Sequence, residues 1–282
     1  MISSNPGSTM PTTYRAAVYN LLNGGISDNR LTLQVDLLRD LQPDILCLPE
    51  ATFWADNDEE RLWWVADQLD MAVAYMARSH IGDGRNHTAL LYRPSRFRLV
   101  GRRLMDPERF THAMIKTRLR PVEAPDDSHD LLVLATHLDP FDPGKRLSEV
   151  RRVTDFGGTF PGAPHQAILL GDLNVPDREP ETWDDVPRNL HSRYRIVKDD
   201  GTFGGVDRRA LDALLGSGWT DPQTLTGVRR APTVGYYYPN EPVPWCLDYV
   251  LTRGLAVSEY QTYDTPQARR LSDHLPIWAD LD

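Results

Sequence analysis

Short uninterrupted apolar runs alternate with segments of helical spacing along the first third of the chain. Arg15–Leu21 and Ile45–Leu48 consist mainly of small apolar and β-prone residues, which predicts two strands. Between them, apolar residues over 31–41 recur on one face of a helix that Pro43 ends. The same spacing predicts a second helix over Glu59–Leu69. This third of the chain is therefore expected to mix helices and strands.

Strand-like segments dominate the rest of the chain. The pattern predicts further strands at Ala72–Ala77, Ala89–Tyr92, Arg98–Leu104, Ala113–Leu119, Leu131–Thr136, Ala167–Leu170, Leu247–Leu251 and Pro276–Leu281. Two more helices are expected over Lys145–Phe156 and Arg208–Leu215. Because several strands follow one another without helices, we expect mostly antiparallel pairing. Strands spread from end to end favour one domain over 14–282, preceded by a flexible tail over 1–13.

Polar residues lie at the ends of these apolar runs. The set comprises Asn20, Glu50, His137, Asp172, Asn174, Asp248, Asp273 and His274. Taken alone, each has an ordinary structural explanation, such as a turn former or a cap at a strand end. Strand ends at one edge of a sheet converge, however, so groups far apart in sequence are expected to meet in one pocket.

The chemistry of this set favours a hard divalent cation. Asn20, Glu50 and Asp273 offer oxygen donors, which suit Mg²⁺ or Mn²⁺. Zinc is disfavoured because the sequence has no Cys/His cluster at ligand spacing. Carboxylates, two histidines and an asparagine beside such a cation indicate phosphoryl chemistry, in which one carboxylate activates water and imidazole balances charge.

Six segments in order resemble the endonuclease/exonuclease/phosphatase superfamily, which includes deoxyribonucleases, apurinic endonucleases, sphingomyelinases and inositol polyphosphate phosphatases. The matching segments are AVYNLLNGG, PDILCLPE, ATHLD, ILLGDLNVPD, CLDYVLT and LSDHLPIWADL. Each is short, but six in the right order make coincidence improbable. The resemblance implies an α/β (α+β) fold, a four-layered α/β/β/α sandwich with two packed, mostly antiparallel sheets and a metal site at one end.

The resemblance also implies roles for individual residues. It makes Asn20, Glu50 and Asp273 the metal-site positions. Asp172 would orient or deprotonate the attacking water, with the base assigned jointly to Asp172 and His274.

Three further residues complete the catalytic set that the resemblance implies. Asn174 would hold the phosphate or the water in line, and His137 would donate to a non-bridging oxygen. Asp248 would fix the tautomer of His274, the residue expected to contact the scissile phosphate.

Some positions depart from the usual pattern of this superfamily. Pro49 stands before Glu50 where a glutamine is usual, and Arg146 is followed by Glu149 where a glutamine is also usual. Both changes concern expected substrate contacts more than the chemistry. The consecutive residues Tyr236, Tyr237 and Tyr238 fall in a Pro-flanked loop shortly before Asp248, which makes them candidate substrate contacts.

Composition bears on the substrate and the location. The 282 residues carry a net charge of -9, so no overall basic field favours nucleic acid or anionic membranes. A small soluble phosphoester is therefore the expected partner, with nucleic acid possible and neither a membrane nor a protein partner implied. Two cysteines in apolar stretches and no apolar leader indicate a cytoplasmic protein. The strong excess of arginine over lysine suggests a bacterial source.

Three functions stay open at this point. The first is a Mg²⁺- or Mn²⁺-dependent phosphodiesterase or phosphatase that uses in-line attack by water. The second is a DNA or RNA endonuclease or exonuclease. The third is a repurposed or inactive binding module with the same fold, and a non-hydrolytic use of the pocket is also open.

Overall fold

The computed structural model describes residues 13–27, 29–79, 86–159, 161–225, 227 and 230–282. These residues form thirteen β-strands and six α-helices. The strands are β1 Tyr14–Val18, β2 Ile45–Leu48, β3 Ala72–Ala77, β4 Thr88–Tyr92, β5 Phe97–Leu104, β6 Ala113–Pro121, β7 Leu131–His137, β8 Gln166–Asp172, β9 Arg195–Val197, β10 Phe203–Val206, β11 Asp248–Arg253, β12 Val257–Thr262 and β13 Ile277–Leu281. The helices are α1 Arg30–Leu41, α2 Glu60–Gln68, α3 Pro143–Val150, α4 Arg188–Tyr194, α5 Arg209–Gly216 and α6 Ala268–Leu271.

The strands form two large sheets and a small hairpin. The first sheet has six strands in the order β12-β13-β1-β2-β4-β3, and the second has five in the order β11-β8-β7-β6-β5. Each contains one parallel pair, β1 with β2 and β7 with β8. The other neighbouring pairs in both sheets are antiparallel. Strands β9 and β10 pair separately.

Three hydrophobic cores separate four layers. Leucines and valines of α1 and α2 pack on the outer face of the first sheet. A second core, which includes Val18, Ile45, Val133 and Leu170, fills the space between the sheets. On the far side, α3 and α5 cover the outer face of the second sheet. The four-layered sandwich with two mostly antiparallel sheets is therefore confirmed.

Burial on both faces explains why several strands are recognisable in the sequence. All residues of β2, β7 and β11 are buried, because a sheet lies on one side of each strand and helices or loops lie on the other. Such strands are continuous apolar runs in sequence. The first strand is shorter than expected and ends at Val18, although the next residues still hydrogen bond to the chain after β2: Tyr19 N–H donates to Cys47 O at 3.0 Å.

The remaining differences concern short or exposed elements. The predicted helix over Lys145–Phe156 ends at Val150 and is followed by a 3₁₀ turn. Elements α4, β9, β10, β12 and α6 were not predicted. Strand β12 is mostly exposed, and α6 has four residues, so neither gives a clear periodic signal.

Both the expected flexible tail and the expected single domain stay predictions. Residues 1–12 of the expected tail lie outside the described residues, and Thr13 Oγ1 donates to Asp282 Oδ1 at 2.8 Å. The single domain over 14–282 stays a prediction. No helix in the described ranges is both long enough and apolar enough to span a membrane.

Candidate active site

Three of the candidate residues form one row across the second sheet. His137 ends β7 and is the direct partner of Asp172, which ends β8. Asp248 begins β11 and is the direct partner of Asp172 on the other side. Side chains at directly paired positions project from the same face of a sheet. The residues two positions inward along each strand, Ala135, Leu170 and Val250, belong to the core between the sheets, so the row lies at the end of that core.

Asn20 connects this row to the first sheet. Its amide nitrogen donates to Asp172 Oδ2 at 3.1 Å and to Glu50 Oε1 at 3.3 Å. Its carbonyl oxygen accepts from Leu22 N–H at 3.1 Å, which fixes the orientation of the amide. Asn20 is fully buried. In this arrangement it holds two carboxylates from different sheets together and presents its nitrogen, not its oxygen, to them.

Glu50 lies in a strained turn directly after β2. Its φ is 56°, in the left-handed region that costs a non-glycine residue about 1 kcal/mol or more. Gly24 N–H donates to Glu50 O at 2.7 Å, and Asn23 N–H donates to Glu50 Oε2 at 2.9 Å. A side chain at Gly24 would meet Thr52 O at 2.2 Å, so the close approach of the two loops requires glycine. The turn over Asn23–Gly25 therefore positions the Glu50 carboxylate.

His274 forms a charged network with two carboxylates. Its Nδ1 donates to Asp248 Oδ2 at 2.8 Å, and its Nε2 lies 3.7 Å from Asp172 Oδ2. Burial alone would lower the pKa of His274, but the negative charges of Asp248 and Asp172 outweigh burial and raise this pKa well above its ordinary value. His274 is therefore an imidazolium at neutral pH, with Nε2 directed toward Asp172.

The two acidic residues nearest Asn20 are poorly solvated. Burial raises the pKa of Asp172 to about 7, and the charge of Asp248 adds to this effect, while His274 opposes it. Burial, followed by the charge of Asp273, also raises the pKa of Glu50. Asn174, whose backbone N–H donates to Asp172 Oδ1 at 2.9 Å, holds the second oxygen of that carboxylate. Buried carboxylates so close together need a compensating positive charge.

His112, which no sequence pattern singled out, lies against His137. The rings of His112 and His137 stack with centroids 4.1 Å apart and an angle of 15° between their planes. Burial lowers the pKa of His112 to about 4 and lowers that of His137 as well, so both imidazoles are neutral. His137 Nε2 lies 3.7 Å from Asp172 Oδ2. A neutral imidazole with its proton on Nε2 can still donate a hydrogen bond from this position.

These groups open into one cleft with a volume of 510 Å³. Glu50, His137, Asp172, Asn174, Asp273 and His274 line it, together with His112 and Thr111. Asn20 and Asp248 lie behind this surface and contact its residues. Among the three tyrosines, Tyr237 and Tyr238 line the cleft. Tyr236 packs against the core of the first sheet, and its hydroxyl donates to Ser272 O at 2.7 Å.

Arg146 and Glu149 support the loops at the edge of the cleft. The Glu149 carboxylate accepts from Thr111 N–H at 2.5 Å and from Asp139 N–H at 3.0 Å. Arg146 Nη1 donates to Asp139 O at 3.0 Å, and its Nη2 donates to Arg193 O at 2.5 Å. Both side chains are fully buried. Arg146 and Glu149, of which only Glu149 departs from the pattern described above, therefore hold the loops beside the cleft in place.

The donor chemistry fits a hard divalent cation. The carboxylates of Asp172 and Asp248 lie in a compact cluster with the His274 imidazole, in which one polar atom of each residue lies within 4.8 Å of the others. Asp248 Oδ1 is buried without a hydrogen-bond partner among the described residues. Glu50 and Asp273 line the same cleft and add further carboxylate oxygens. Oxygen-rich sites of this kind suit Mg²⁺ or Mn²⁺.

The sequence matches a known family model over most of its length. The model of the Endonuclease/Exonuclease/phosphatase family aligns with residues 17–274. This range spans the candidate site from Asn20 to His274. No curated protein matches the sequence significantly.

Solved structures share the fold at low sequence identity. TDP2 from D. rerio, complexed with a single-strand DNA product, is 14% identical with a TM-score of 0.65, covering 96% of this chain and 99% of that one. A mannosyl-6-phosphatase from Bacteroides thetaiotaomicron is 17% identical with a TM-score of 0.64, covering 95% and 99%. The human Nocturnin catalytic domain is 18% identical with a TM-score of 0.60, covering 96% and 94%. At such identities the likeness shows the fold alone.

Proposed function

Because the chain belongs to the endonuclease/exonuclease/phosphatase family, whose members are generally phosphoester hydrolases, we propose that it is a divalent-metal-dependent hydrolase of a small phosphoester. The observation that carries this proposal is the junction of the two sheets at Asn20. There, Glu50 from one sheet and Asp172 from the other share one amide. The imidazolium of His274 and the neutral His137 each lie 3.7 Å from the same Asp172 oxygen.

The proposed reaction is in-line attack of water on phosphorus. Asp172 accepts the proton of the attacking water as the new P–O bond forms, and Asn174 holds the second oxygen of this carboxylate through its backbone N–H. His274 donates a hydrogen bond to the phosphate from Nε2 while Asp248 holds its Nδ1 proton. The bond between phosphorus and the leaving oxygen breaks, that oxygen takes a proton from solvent water, and Asp172 then releases its proton to solvent. Neutral His137 donates a hydrogen bond to a non-bridging oxygen.

Glu50 and Asp273 are the residues proposed to hold Mg²⁺ or Mn²⁺, with Asn20 positioning Glu50 from behind. A bound cation would supply Lewis-acid stabilisation of the negative charge on the phosphate oxygens. In this structure the amide nitrogen of Asn20, and not its oxygen, faces the carboxylates. Direct coordination of the cation by the Asn20 oxygen therefore stays a prediction.

The acidic composition supports a small soluble substrate over a long polyanion. A nuclease is the second candidate, because a protein of this fold is known with a single-strand DNA product bound. The cytoplasmic location and bacterial source stay predictions from the sequence.

The test is a panel of phosphomonoesters, phosphodiesters and plasmid DNA with Mg²⁺ or Mn²⁺. We expect hydrolysis that EDTA abolishes and the metal restores. Asp172→Asn and His274→Ala should each lower turnover by at least about 10²-fold, since each removes a group that moves or holds a proton. Asp36→Asn is the matched control, because Asp36 lies on the exposed side of α1 and pairs only with Arg39 among the described ion pairs.

Full activity in Asp172→Asn, with a thermal midpoint equal to that of the unmodified protein, would contradict the assignment. Metal binding without hydrolysis of any member of the panel would instead favour a binding module.

A further inference from the structure

Five aromatic side chains line the cleft together with the carboxylates. Phe141, Tyr194, Tyr237, Tyr238 and Trp245 all line the same 510 Å³ cavity as the catalytic candidates. No role in the proposed hydrolysis requires these rings. The presence of five rings in one cleft indicates a site for the organic part of a substrate.

Two of these rings form a fixed wall. Tyr194 and Trp245 are buried, and their ring centroids lie 4.9 Å apart in a T-shaped arrangement. Val186, Leu190 and Val243 pack around them in a small core of their own. Because this core holds both rings in place, the wall exists before any ligand binds, and binding need not order it.

Two other rings form an exposed rim. Phe141 is 66% exposed and Tyr238 is 37% exposed, which is unusual for large rings beside a cavity. The Arg193 guanidinium lies 4.9 Å from the centroid of Phe141 and 3.8 Å from Glu241. Arg193 and Glu241 also line the cleft, so a polar pair lies between aromatic surfaces.

The aromatic residues and the catalytic residues are carried by the same segments. Phe141 follows His137 by four positions, and Trp245 precedes Asp248 by three. Glu149 accepts from Asp139 N–H, which holds the loop between His137 and Phe141. A group bound against the rings is therefore held at a fixed distance from the reacting phosphate.

We propose that these five aromatic side chains bind a planar aromatic ring in the organic part of the phosphoester. The inference rests on the proposed hydrolase function and narrows its substrates to nucleotides and other aryl-containing phosphoesters. Aromatic side chains stack on any base, and Arg193 and Glu241 supply a donor and an acceptor for polar atoms at the ring edge. Bases stacked inside a duplex do not present a free face, so internal sites of double-stranded DNA are excluded.

The decisive comparison uses two substrates that differ only in the ring. Adenosine 5′-phosphate and ribose 5-phosphate share the phosphate and the sugar, and methyl esters of both serve if the enzyme accepts only diesters. We expect kcat/KM to be at least about tenfold higher for the compound with the base, the size of effect typical of one stacked ring. If a single-stranded oligonucleotide inhibits hydrolysis of the nucleotide as well as the nucleotide itself does, the aromatic ring that the site binds belongs to the end of a nucleic-acid strand.

Variants of the rim residues test whether their rings cause the preference for the substrate with the base. Phe141→Leu and Tyr238→Leu keep apolar side chains but remove the rings, so each should reduce the ratio of the two kcat/KM values, whereas Tyr238→Phe should retain it. Trp63→Ala is the control, because Trp63 is 54% exposed on α2 and does not line the cleft.

The failure of the inference can be told from the failure of the proposed function. Equal kcat/KM values for both substrates would overturn the aromatic site and leave the hydrolase intact. If no phosphoester is hydrolysed, calorimetry decides the inference by itself. Adenosine 5′-phosphate should bind Asp172→Asn at least about tenfold more tightly than ribose 5-phosphate does, and equal affinities would overturn the proposal.

Discussion

Among the carboxylates that keep His274 protonated, Asp248 contributes most. Asp248 accepts its Nδ1 proton at 2.8 Å, inside a site where burial by itself favours the neutral imidazole. The proposed role of His274 as a donor toward the phosphate needs the protonated form. Under this proposal Asp248 would act on the reaction through the pKa of His274, without lining the cleft itself.

Replacing this carboxylate should make activity dependent on pH. Asp248→Asn removes the negative charge while burial remains, so the pKa of His274 falls and the imidazolium is lost as the pH rises. We expect turnover at pH 8 to drop at least about tenfold relative to the unmodified protein, with a smaller deficit at pH 6. The measurement is the ratio of kcat values for variant and unmodified protein across this range. A ratio that stays constant with pH would mean that Asp248 acts only by positioning.

The sequence locates several site residues because they extend the alternation of the inner core. Asp172 follows Ile168 and Leu170 in steps of two, as His137 follows Val133 and Ala135. A polar residue at the next inward position of an apolar series is visible without a structure. His112 was not predicted, since it precedes its strand and its contact with His137 depends on pairing between β6 and β7. The aromatic wall was also missed, because α4 lies in a segment without a clear apolar pattern.

At the scale of elements, the parallel pair β7 and β8 depends on a glycine. A Cβ built at Gly171 would lie 1.9 Å from Thr136 O on the neighbouring strand. Gly171 is the partner of Thr136 and comes directly before Asp172. Because Gly171 has no side chain, β7 and β8 can approach each other at the end that carries the row of His137, Asp172 and Asp248.

Gly171→Ala should push these strands apart. We expect the free energy of unfolding to fall by about 2 kcal/mol or more, because the clash is with backbone and cannot be relieved by rotating a side chain. Urea denaturation measures this change. Gly101→Ala in β5 is the matched control, since a Cβ there meets nothing within 4 Å and should change stability by less than about 1 kcal/mol. Equal effects of both substitutions would show that the close approach is not limiting.

The elements that the sequence predicted well are those buried on both faces. Strands β2, β7 and β8 were predicted to within two residues at each end, because sheet and helix layers enforce continuous apolar runs. Strand β12 and the β9–β10 hairpin have exposed or irregular patterns that resemble loops. Helix α3 begins at Pro143, two residues before the predicted start at Lys145, because the side chain of its N-cap residue Asp142 accepts from Gly144 N–H.

At the scale of the whole molecule, the candidate site joins the two sheets. Asn20, Glu50 and Asp273 follow or precede strands of the first sheet, and Asp172 and Asp248 belong to the second. A ligand that binds these groups together must stabilise the packing of one sheet on the other, since it binds the folded chain alone.

This joint site predicts a pH-dependent effect of metal on unfolding. Burial raises the pKa of Asp172 to about 7, whereas an aspartate in an unfolded chain titrates near pH 4. In the metal-free protein, the stability that this proton contributes is fully present below about pH 4 and is lost as the pH rises to about 7. Glu50, whose pKa burial also raises, acts in the same direction.

A divalent cation replaces these protons, so its stabilising effect should grow with pH. We expect the rise in Tm on adding Mg²⁺ or Mn²⁺, measured against EDTA at the same pH, to be larger at pH 8 than at pH 5.5. Titration of groups far from the metal site changes the Tm with and without metal equally at a given pH, so it cancels in this difference. An increase that is the same at both pH values would argue against a cation beside Glu50 and Asp172.

The row of His137, Asp172 and Asp248 also bears on how such a chain tolerates change. Because backbone pairing of β7, β8 and β11 sets the spacing of the three side chains, that spacing does not depend on which apolar residues fill the layers behind them. Insertion or deletion of one residue within any of these strands would turn a catalytic group to the opposite face. Replacing one apolar interior residue by another therefore leaves the spacing of the three side chains unchanged. Insertions and deletions are tolerated only in the connecting loops, so changes in substrate specificity are expected there.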